Sequence, residues 1–346
     1  MSLRLIVTAF CASMALAACT TMESGTALPQ AGRFPSSTPA PAVTQGIERY
    51  MEQRSHVESV AYRLRRTAEP ECSRAGKSKV DLGIIVWSLA NFPNAEDRAH
   101  LQSAFALSAR VTVAIAAESG PAARAGLSRG DVIAEVNGKQ ALEGAGATEH
   151  FIATSNQAAR QGAVSLKLAS GRTLDIAPEK VCGFAALLVR STVANAAADG
   201  RSIAITTGLF ELMRSDDELA LVLAHELAHN ILGHLSSPAK RSVADDGAAV
   251  EAMASPPALQ ADAPYSPAME IEADRAGLFF MARAGFDISA AEAMWTRLNR
   301  TTNASALSRT HPAGPERLSS LKHTVTEIRT KQKSGAPLDP GITPHR

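Results

Sequence analysis

Aromatic side chains make up only 4% of this 346-residue chain, and its charges balance to +1 with no basic run. Stacking platforms for bases are therefore scarce, and no positive field is available to draw in a phosphate backbone, which excludes nucleic acid as an expected partner. Cysteine is sparse as well, with four residues, two of them (Cys11 and Cys19) near the start. A long opening hydrophobic run is also missing. Met1 to Ala18 has a basic Arg4, an apolar stretch from Leu5 and small residues before Cys19, which is the shape of a secretory signal peptide rather than a membrane span. Core material is plentiful, at 45% hydrophobic against 20% charged, enough at this length for two domains plus tails.

The most informative stretch is Ser215 to His234. Ser215 followed three residues later by Glu218 is a capping box, so a helix is expected to start there. From Leu219 to Leu232 the chain is apolar on nearly every side, the pattern of a buried helix. His225, Glu226 and His229 interrupt it, and burying a carboxylate with two imidazoles is costly unless something compensates them. A divalent metal does so: histidines at i and i+4 sit about 40° apart on one helix face and reach one ion. Glu226 projects beside the pair, where it can hold and deprotonate an attacking water. This is the H-E-x-x-H zinc signature. His234 lies about 180° round the helix from His225, so it is expected at the helix end, facing solvent or the C-terminal dipole.

A third ligand is expected from Ser266 onward, an N-cap followed by Pro267 at the first helical position, with a helix running toward Gly285. Glu270 and Glu272 compete for the metal. Glu270 shares a face with Asp274 and Gly277, whereas Glu272 points about 160° away. Because Gly277 allows close approach to the zinc helix, Glu270 is the expected ligand. Asp274, one turn on, is placed to accept an N–H from a ligating imidazole.

The remaining chain reads in order. Leu16-Ala17-Ala18-Cys19 resembles the bacterial lipobox, which implies cleavage before Cys19, its lipidation and, with Thr20 beside it, retention at the outer membrane. Residues 19–44, rich in Ser, Thr, Pro, Gly and Ala, read as a flexible tether. Residues 45–71 carry Ile47, Met51, Val57, Val60 and Leu64 at helical spacing, with Arg63, Arg65 and Arg66 on a solvated face. Cys72 and Cys182 remain as an even pair in an oxidising compartment; a disulfide is the default, two separately buried thiols the alternative.

Between them, residues 72–182 resemble a PDZ domain of the bacterial protease-associated kind. The resemblance is carried most specifically by Ser119 to Gly138. There Gly126 and Gly130 supply turns, Asp131 opens a strand with alternating Val132, Ala134 and Val136, and Asn137-Gly138 makes a hairpin turn. It implies a groove in which Leu82, Gly83 and Ile84 receive a peptide C-terminus, lined by a helix over Thr148 to Arg160. The Asn91–Arg110 spacing is longer than in the smallest such domains, so the groove is expected to be altered. After Cys182, alternating Ile203 and Ile205 predict a half-buried strand. Two roles stay open for it: bordering the cleft to pair with substrate, or a purely structural edge. Pro238 to Pro264 reads either as a lid or as disorder without function.

The pairing of His225-Glu226-Leu227-Ala228-His229 with Glu270-Ile271-Glu272-Ala273-Asp274-Arg275-Ala276-Gly277 is similar to the HtpX/BepA/OMA-type zinc metallopeptidases, relatives of the CAAX prenyl protease. Asn195, Asp199-Gly200, Gly208-Leu209 and the Thr310–Leu318 segment match that family too. The resemblance spans residues 183–335. It implies one Zn²⁺ per chain on His225, His229 and Glu270, Glu226 as general base, and His311 and Arg317 over the cleft. Pro312 disfavours helix at His311, whose imidazole could stabilise an oxyanion or act as a latent fourth ligand. Arg317 could support Asp274 or developing negative charge. Beyond it, Leu318, Leu321, Val325 and Ile328 predict a closing amphipathic helix, with a tail from 336 to 346. Met294, Trp295 and Leu298 are expected in the core.

The expected fold is α+β: a mostly helical zincin domain of the minigluzincin type with a short sheet, plus a β-rich PDZ-like domain. The expected function is that of a zinc endopeptidase of the bacterial envelope, lipid-anchored at the periplasmic face of the outer membrane. Its expected substrates are misfolded or misassembled envelope polypeptides. The alternatives are a PDZ-based binding lipoprotein with a latent zinc site, and an outer-membrane assembly factor that docks through its helices.

Overall fold

The computed structural model describes residues 41–234, 265–300, 311 and 314–343. The expected signal peptide, Cys19, most of the tether and Pro238–Pro264 lie outside the described residues. A long helix, α1 (Pro41–Thr67), opens the described chain, so the last four residues of the expected tether are helical; Pro41 fits a first turn, where no amide hydrogen is needed. Ile47, Met51, Val57, Val60 and Leu64 are all buried, as their spacing predicts. The arginines depart from expectation. Arg66 is exposed, but Arg65 is only 2% accessible, donating to Asp81, Glu58 and the Cys182 carbonyl, and Arg63 donates to the Ala284 carbonyl and lies over Phe286. Periodicity assigned them to solvent; buried acceptors on other elements hold two of the three inside.

A short helix, α2 (Glu69–Arg74), follows. Its Cys72 is disulfide-bonded to Cys182, closing off the β-rich stretch between them. That stretch contains β1 (Ser78–Asp81), β2 (Ile84–Trp87), α3 (Ala95–Phe105), β3 (Thr112–Ala116), α4 (Pro121–Arg124), β4 (Ile133–Val136), β5 (Lys139–Gln140), α5 (Ala147–Gln161), β6 (Val164–Leu168), β7 (Thr173–Ile176) and β8 (Glu179–Cys182). Its strands pair as β1–β8, β2–β3 and β5–β4–β6–β7, around a core of its own that includes Leu82, Val113, Leu127, Ile133, Phe151, Leu166 and Ile176. The long Asn91–Arg110 spacing is explained by α3, started by Asn94, whose side chain accepts from the Glu96 N–H. Asn137 (φ 49°) and Gly138 (φ 74°) make the expected tight turn. The predicted alternation along β4 does not hold. A bulge between Ile133 and Glu135 breaks the two-residue period, so Ile133 and Val136 are buried while Val132 and Ala134 are not.

The second core is built from α1 and the elements after Cys182. Strands β9 (Ala185–Val189), β10 (Ala196–Ala198) and β11 (Ser202–Thr206) form one sheet in the order β10–β11–β9, with β11 parallel to β9. Every residue of β11 is buried, so it is a fully covered central strand, not the half-buried edge that Ile203 and Ile205 suggested. With a strand on each side, it has no free edge to offer a substrate. A turn of helix, α6 (Thr207–Phe210), leads to α7 (Asp216–Leu232), then α8 (Pro267–Arg283), α9 (Ala291–Arg300) and α10 (Pro315–Ser334). Met294, Trp295 and Leu298 are core, and Leu321 and Ile328 anchor the buried side of α10. Among the described residues no helix is long and apolar enough to cross a membrane. The architecture is α+β.

Two contacts position the later site. A Cβ at Gly277 would lie 3.1 Å from the Ala224 carbonyl carbon and 3.2 Å from the His225 nitrogen, so α7 and α8 meet backbone to backbone. Helix propensity alone would favour Ala there by about 1 kcal/mol, so a net loss of stability in Gly277→Ala is diagnostic. We expect overpacking to cost about 1–3 kcal/mol, with Val worse than Ala, read by urea unfolding. Asp81 joins the β-rich part to α1. Burial alone would raise its carboxyl, but Arg65, then Lys79 and the Gly83 N–H, hold it at about 2. A depressed acid stabilises the fold above its unfolded pKa near 4 and loses that contribution as pH falls toward 2. Asp81→Asn should therefore cost about 2 kcal/mol at pH 6. In pH-dependent urea melts the gap to wild type should close between about pH 4 and 2.

Candidate metal centre

Helix α7 begins as its sequence dictates. The Ser215 hydroxyl accepts from the Glu218 N–H at 3.3 Å, but the Glu218 carboxylate reaches back one residue further than a capping box requires, accepting from the Arg214 N–H. Every residue from Leu219 to Leu232 is buried. Asn230 locks the C-terminal half in place: its side chain accepts from the Gly200 N–H and donates to the Ser202 carbonyl, tying the helix to the Asp199–Ser202 turn. Helix α8 starts as predicted, with the Ser266 hydroxyl accepting from the Met269 N–H and Pro267 in the first turn.

Four side chains converge where these helices touch. His225 Nε2 lies 3.0 Å from His229 Nε2 and 3.1 Å from His311 Nδ1; Glu270 Oε1 lies 3.4 Å from His229 Nε2 and 3.0 Å from His311 Nδ1. All four residues are buried, and among the described residues they form the group whose donor atoms could hold a metal. With ligand bonds of about 2.0–2.1 Å, tetrahedral geometry puts zinc's donors roughly 3.3–3.4 Å apart, so these residues fit such an ion. Proton placement agrees. His225 Nδ1 faces the Asp274 carboxylate at 2.9 Å and must donate, which turns the bare Nε2 of a neutral ring toward His229. With His229 Nε2 also bare, as a ligand must be, two lone pairs at 3.0 Å would need a cation between them. Without a metal, that positive charge falls on a proton: burial opposes it, but Glu270 and Asp274 hold the His225 imidazole up at about 9. Burial and the charge on His225 push His229 well down. Burial opposes ionisation of Glu270 as well, yet the His225 charge and the three imidazoles hold it far below the usual carboxylate range.

Glu226 stands beside this group, with His311 Nε2 3.3 Å from its Oε1. Its two buried oxygens accept no hydrogen bond among the described residues, and burial pushes its carboxyl up. Such a group is basic and poorly solvated, as a proton acceptor needs to be. Arg317 does not face a cleft. It is buried, forks onto Asp274 through Nε (2.6 Å) and a terminal nitrogen (2.9 Å), and places its other nitrogen 2.6 Å from Glu270 Oε2 in an ion contact. That same nitrogen donates to the His311 carbonyl at 3.1 Å, so Arg317 fixes the second-helix carboxylates and His311 together. His311 lies among the metal donors rather than above them.

Sequence reasoning missed several residues here. Tyr265 stacks on His229 with ring centroids 3.7 Å apart, and Trp295 meets His225 edge-on beneath Arg317. His234, expected at the helix end facing solvent or the C-terminal dipole, is buried with its Nδ1 2.8 Å from His229 Nδ1 and its Nε2 3.3 Å from Glu272. Gly233 in the left-handed region (φ 73°) turns the chain back after the helix, which helical angles alone do not describe. Gly233 just before a histidine was the signal available. Glu272, set aside as a ligand, lies outside that group of four and meets His234 instead.

Away from this centre, Ile84–Val86 face Phe151, Ile152 and Ser155 across a cavity of about 120 Å³, whose other wall includes Arg54, Glu58 and Arg65. The Gly83 N–H, expected to meet a ligand carboxylate, is already taken by Asp81 Oδ1 at 2.8 Å.

Residues 156–325 match peptidase family M48. The chain carries an M48 peptidase domain. The match starts inside α5, earlier than residue 183, where the sequence resemblance was expected to begin. The chain is similar to the mitochondrial metalloendopeptidase OMA1 of Schizosaccharomyces pombe, 28% identical over 39% of this chain and 44% of that protein. It is also similar to a putative beta-barrel assembly-enhancing protease of Vibrio cholerae, 31% identical over 47% and 37% respectively. To OMA1 of Arabidopsis thaliana it is 30% identical over 38% and 29%. The chain thus spans less than half the length of each of these relatives. A crystal structure of the HtrA3 PDZ domain bound to a phage-derived ligand aligns with 30% of this chain and 89% of that one, at 25% identity and a TM-score of 0.23, too low to carry an argument.

Within the M48 domain the buried Arg317 is a sharp test. Removing one partner of a buried ion network strands the others at a cost of about 3–5 kcal/mol. Arg317→Ala should lose about that much in urea unfolding, and Arg317→Lys most of it, because a lysine lacks the fork that grips Asp274.

Proposed function

We propose that this chain is a zinc-dependent endopeptidase of the bacterial cell envelope, acting on unfolded or misassembled polypeptides. The observation that carries this reading is the buried set of His225, His229 and Glu270 beside the unbonded Glu226 carboxylate. When bound, zinc would polarise the scissile carbonyl and lower the pKa of water. Glu226 would take the proton of the attacking water and pass it to the leaving amine. Asp274, by accepting from His225 Nδ1–H, keeps that ring's Nε2 turned inward, and Arg317 holds Asp274 and Glu270 in place.

The envelope setting rests on the signal-like start, the lipidation expected at Cys19, the disulfide, and likeness to a relative named for beta-barrel assembly. The groove between β2 and α5, ending at Leu82, Gly83 and Ile84, is proposed to bind substrate peptide beside the side of β2 that has no strand partner among the described residues. A second reading is favoured by His311. As a fourth donor it would fill the position that a substrate carbonyl needs, which would make the chain a latent peptidase, opened when His311 swings away.

Casein cleavage and zinc content of the purified protein test both readings. Glu226→Gln should lower cleavage by about 10²–10⁴-fold while zinc stays near about one per chain; retained cleavage refutes the mechanism. His311→Ala should raise cleavage if His311 is the lock, whereas a fall assigns it to the oxyanion.

A further inference from the structure

We propose that His234 and Glu272 form a positioning relay that holds His229 in the tautomer and rotation its ligand role demands. The inference rests on the reading of His225, His229 and Glu270 as zinc ligands, and it goes beyond that reading in giving each ligand histidine its own rear support.

The protons follow from the geometry. His229 points Nε2 at the other donors, 3.0 Å from His225 Nε2 and 3.4 Å from Glu270 Oε1, so its own proton must sit on Nδ1. That Nδ1 lies 2.8 Å from His234 Nδ1, which can then only accept. His234 in turn carries its proton on Nε2, and this atom faces Glu272 Oε2 at 3.3 Å. One chain of donors and acceptors therefore runs from the carboxylate through two imidazoles to the metal position. It parallels the shorter support of His225, whose Nδ1–H meets Asp274 directly at 2.9 Å. A hydrogen-bond acceptor behind a ligating imidazole fixes its orientation and raises its basicity.

The backbone builds this deliberately placed ring. Gly233, with φ 73°, reverses the chain at the end of α7, and the Gly233 and His234 N–H groups both donate to the His229 carbonyl at 3.1 Å. That pair of hydrogen bonds to one carbonyl folds His234 back behind His229, with ring centroids 4.9 Å apart at 70°, an edge contact rather than a stack. The His234 side chain is fully buried, while Glu272 is one-third exposed on α8. Helix α8 thus serves the metal position from two directions: Glu270 from its inner face, Glu272 through His234.

Zinc affinity, measured on the full chain by competition with a chromophoric chelator, tests the relay without reference to catalysis. His234→Phe keeps the ring but offers no acceptor, and should weaken zinc binding by about 10- to 100-fold. His234→Asn, whose carbonyl oxygen can accept from His229, should recover part of that loss. A packing role would give the opposite order, with Phe near wild type, and that result overturns the relay. Glu272→Leu, at a partly exposed position, removes the acceptor for His234 Nε2–H and carries the test if the His234 variants do not fold; it should weaken binding several-fold, and wild-type affinity there also overturns the relay. His229→Ala separates the two levels of inference. If it retains tight stoichiometric zinc, the ligand assignment itself fails and the relay falls with it; if it loses zinc while His234→Phe does not, only the relay falls.

Discussion

The close contact of α7 with α8 at Gly277 is the constraint from which the centre follows. Only with no side chain at that point can His225 and His229 from one helix and Glu270 from the next bring their donor atoms within about 3.4 Å of each other. Once that happens, two imidazoles and a carboxylate lie out of water, and their protonation is no longer independent. The cluster favours a positive charge at its middle, which a divalent ion could supply and a proton on His225 imitates. Buried charge of this kind is tolerable only as a complete set, because each member left without its partner meets the full cost of desolvation.

The surroundings complete the set. Asp274 and Arg317 form a forked pair behind His225 and Glu270, Trp295 packs beneath the guanidinium, and His234 closes the rear of His229. Glu226 is the exception. Neither of its oxygens accepts a hydrogen bond among the described residues, and its one ion contact is His311 Nε2 at 3.3 Å, so the least compensated carboxylate in the centre is the one proposed to move a proton. His311 reaches the same centre from a separate segment, and Arg317 holds its carbonyl, so any change that lets His311 leave must loosen the Arg317 contacts as well.

Helix α1 connects this centre to the β-rich part. Its Tyr50 hydroxyl and Arg54 donate to carbonyls of β9, while Arg65 joins the Cys182 carbonyl to the Asp81 carboxylate at the mouth of the β2–α5 groove. Asp81 also occupies the Gly83 N–H. A peptide entering the groove by its C-terminus would compete with Asp81 for that donor, so groove and helix share one set of charges.

Local sequence carried a large share of this. Spacing and capping identified α7 and α8 with their N-caps, the i and i+4 histidines, the choice of Glu270 over Glu272, the need for a residue without a side chain at 277, and the Asn137-Gly138 turn. Each depends on contacts within a few residues or on one helix face, which periodicity encodes. Burial set by distant partners was not legible. Arg65 looks like a surface residue until Asp81 and the Cys182 carbonyl close on it, and β11 looks half-exposed until β9 and β10 flank it. Val132 was read one register out because a bulge leaves no mark on alternation. His234 shows the same limit: helical angles place it on the face opposite His225, and a single left-handed glycine places it behind His229. The sequence by itself determined which groups could bind a metal and on which helices they stand. Tertiary structure decided which of them are supported, which are left bare and which separate segment joins them through His311, because those outcomes depend on where separate elements meet in space, and residue order along one element does not specify that.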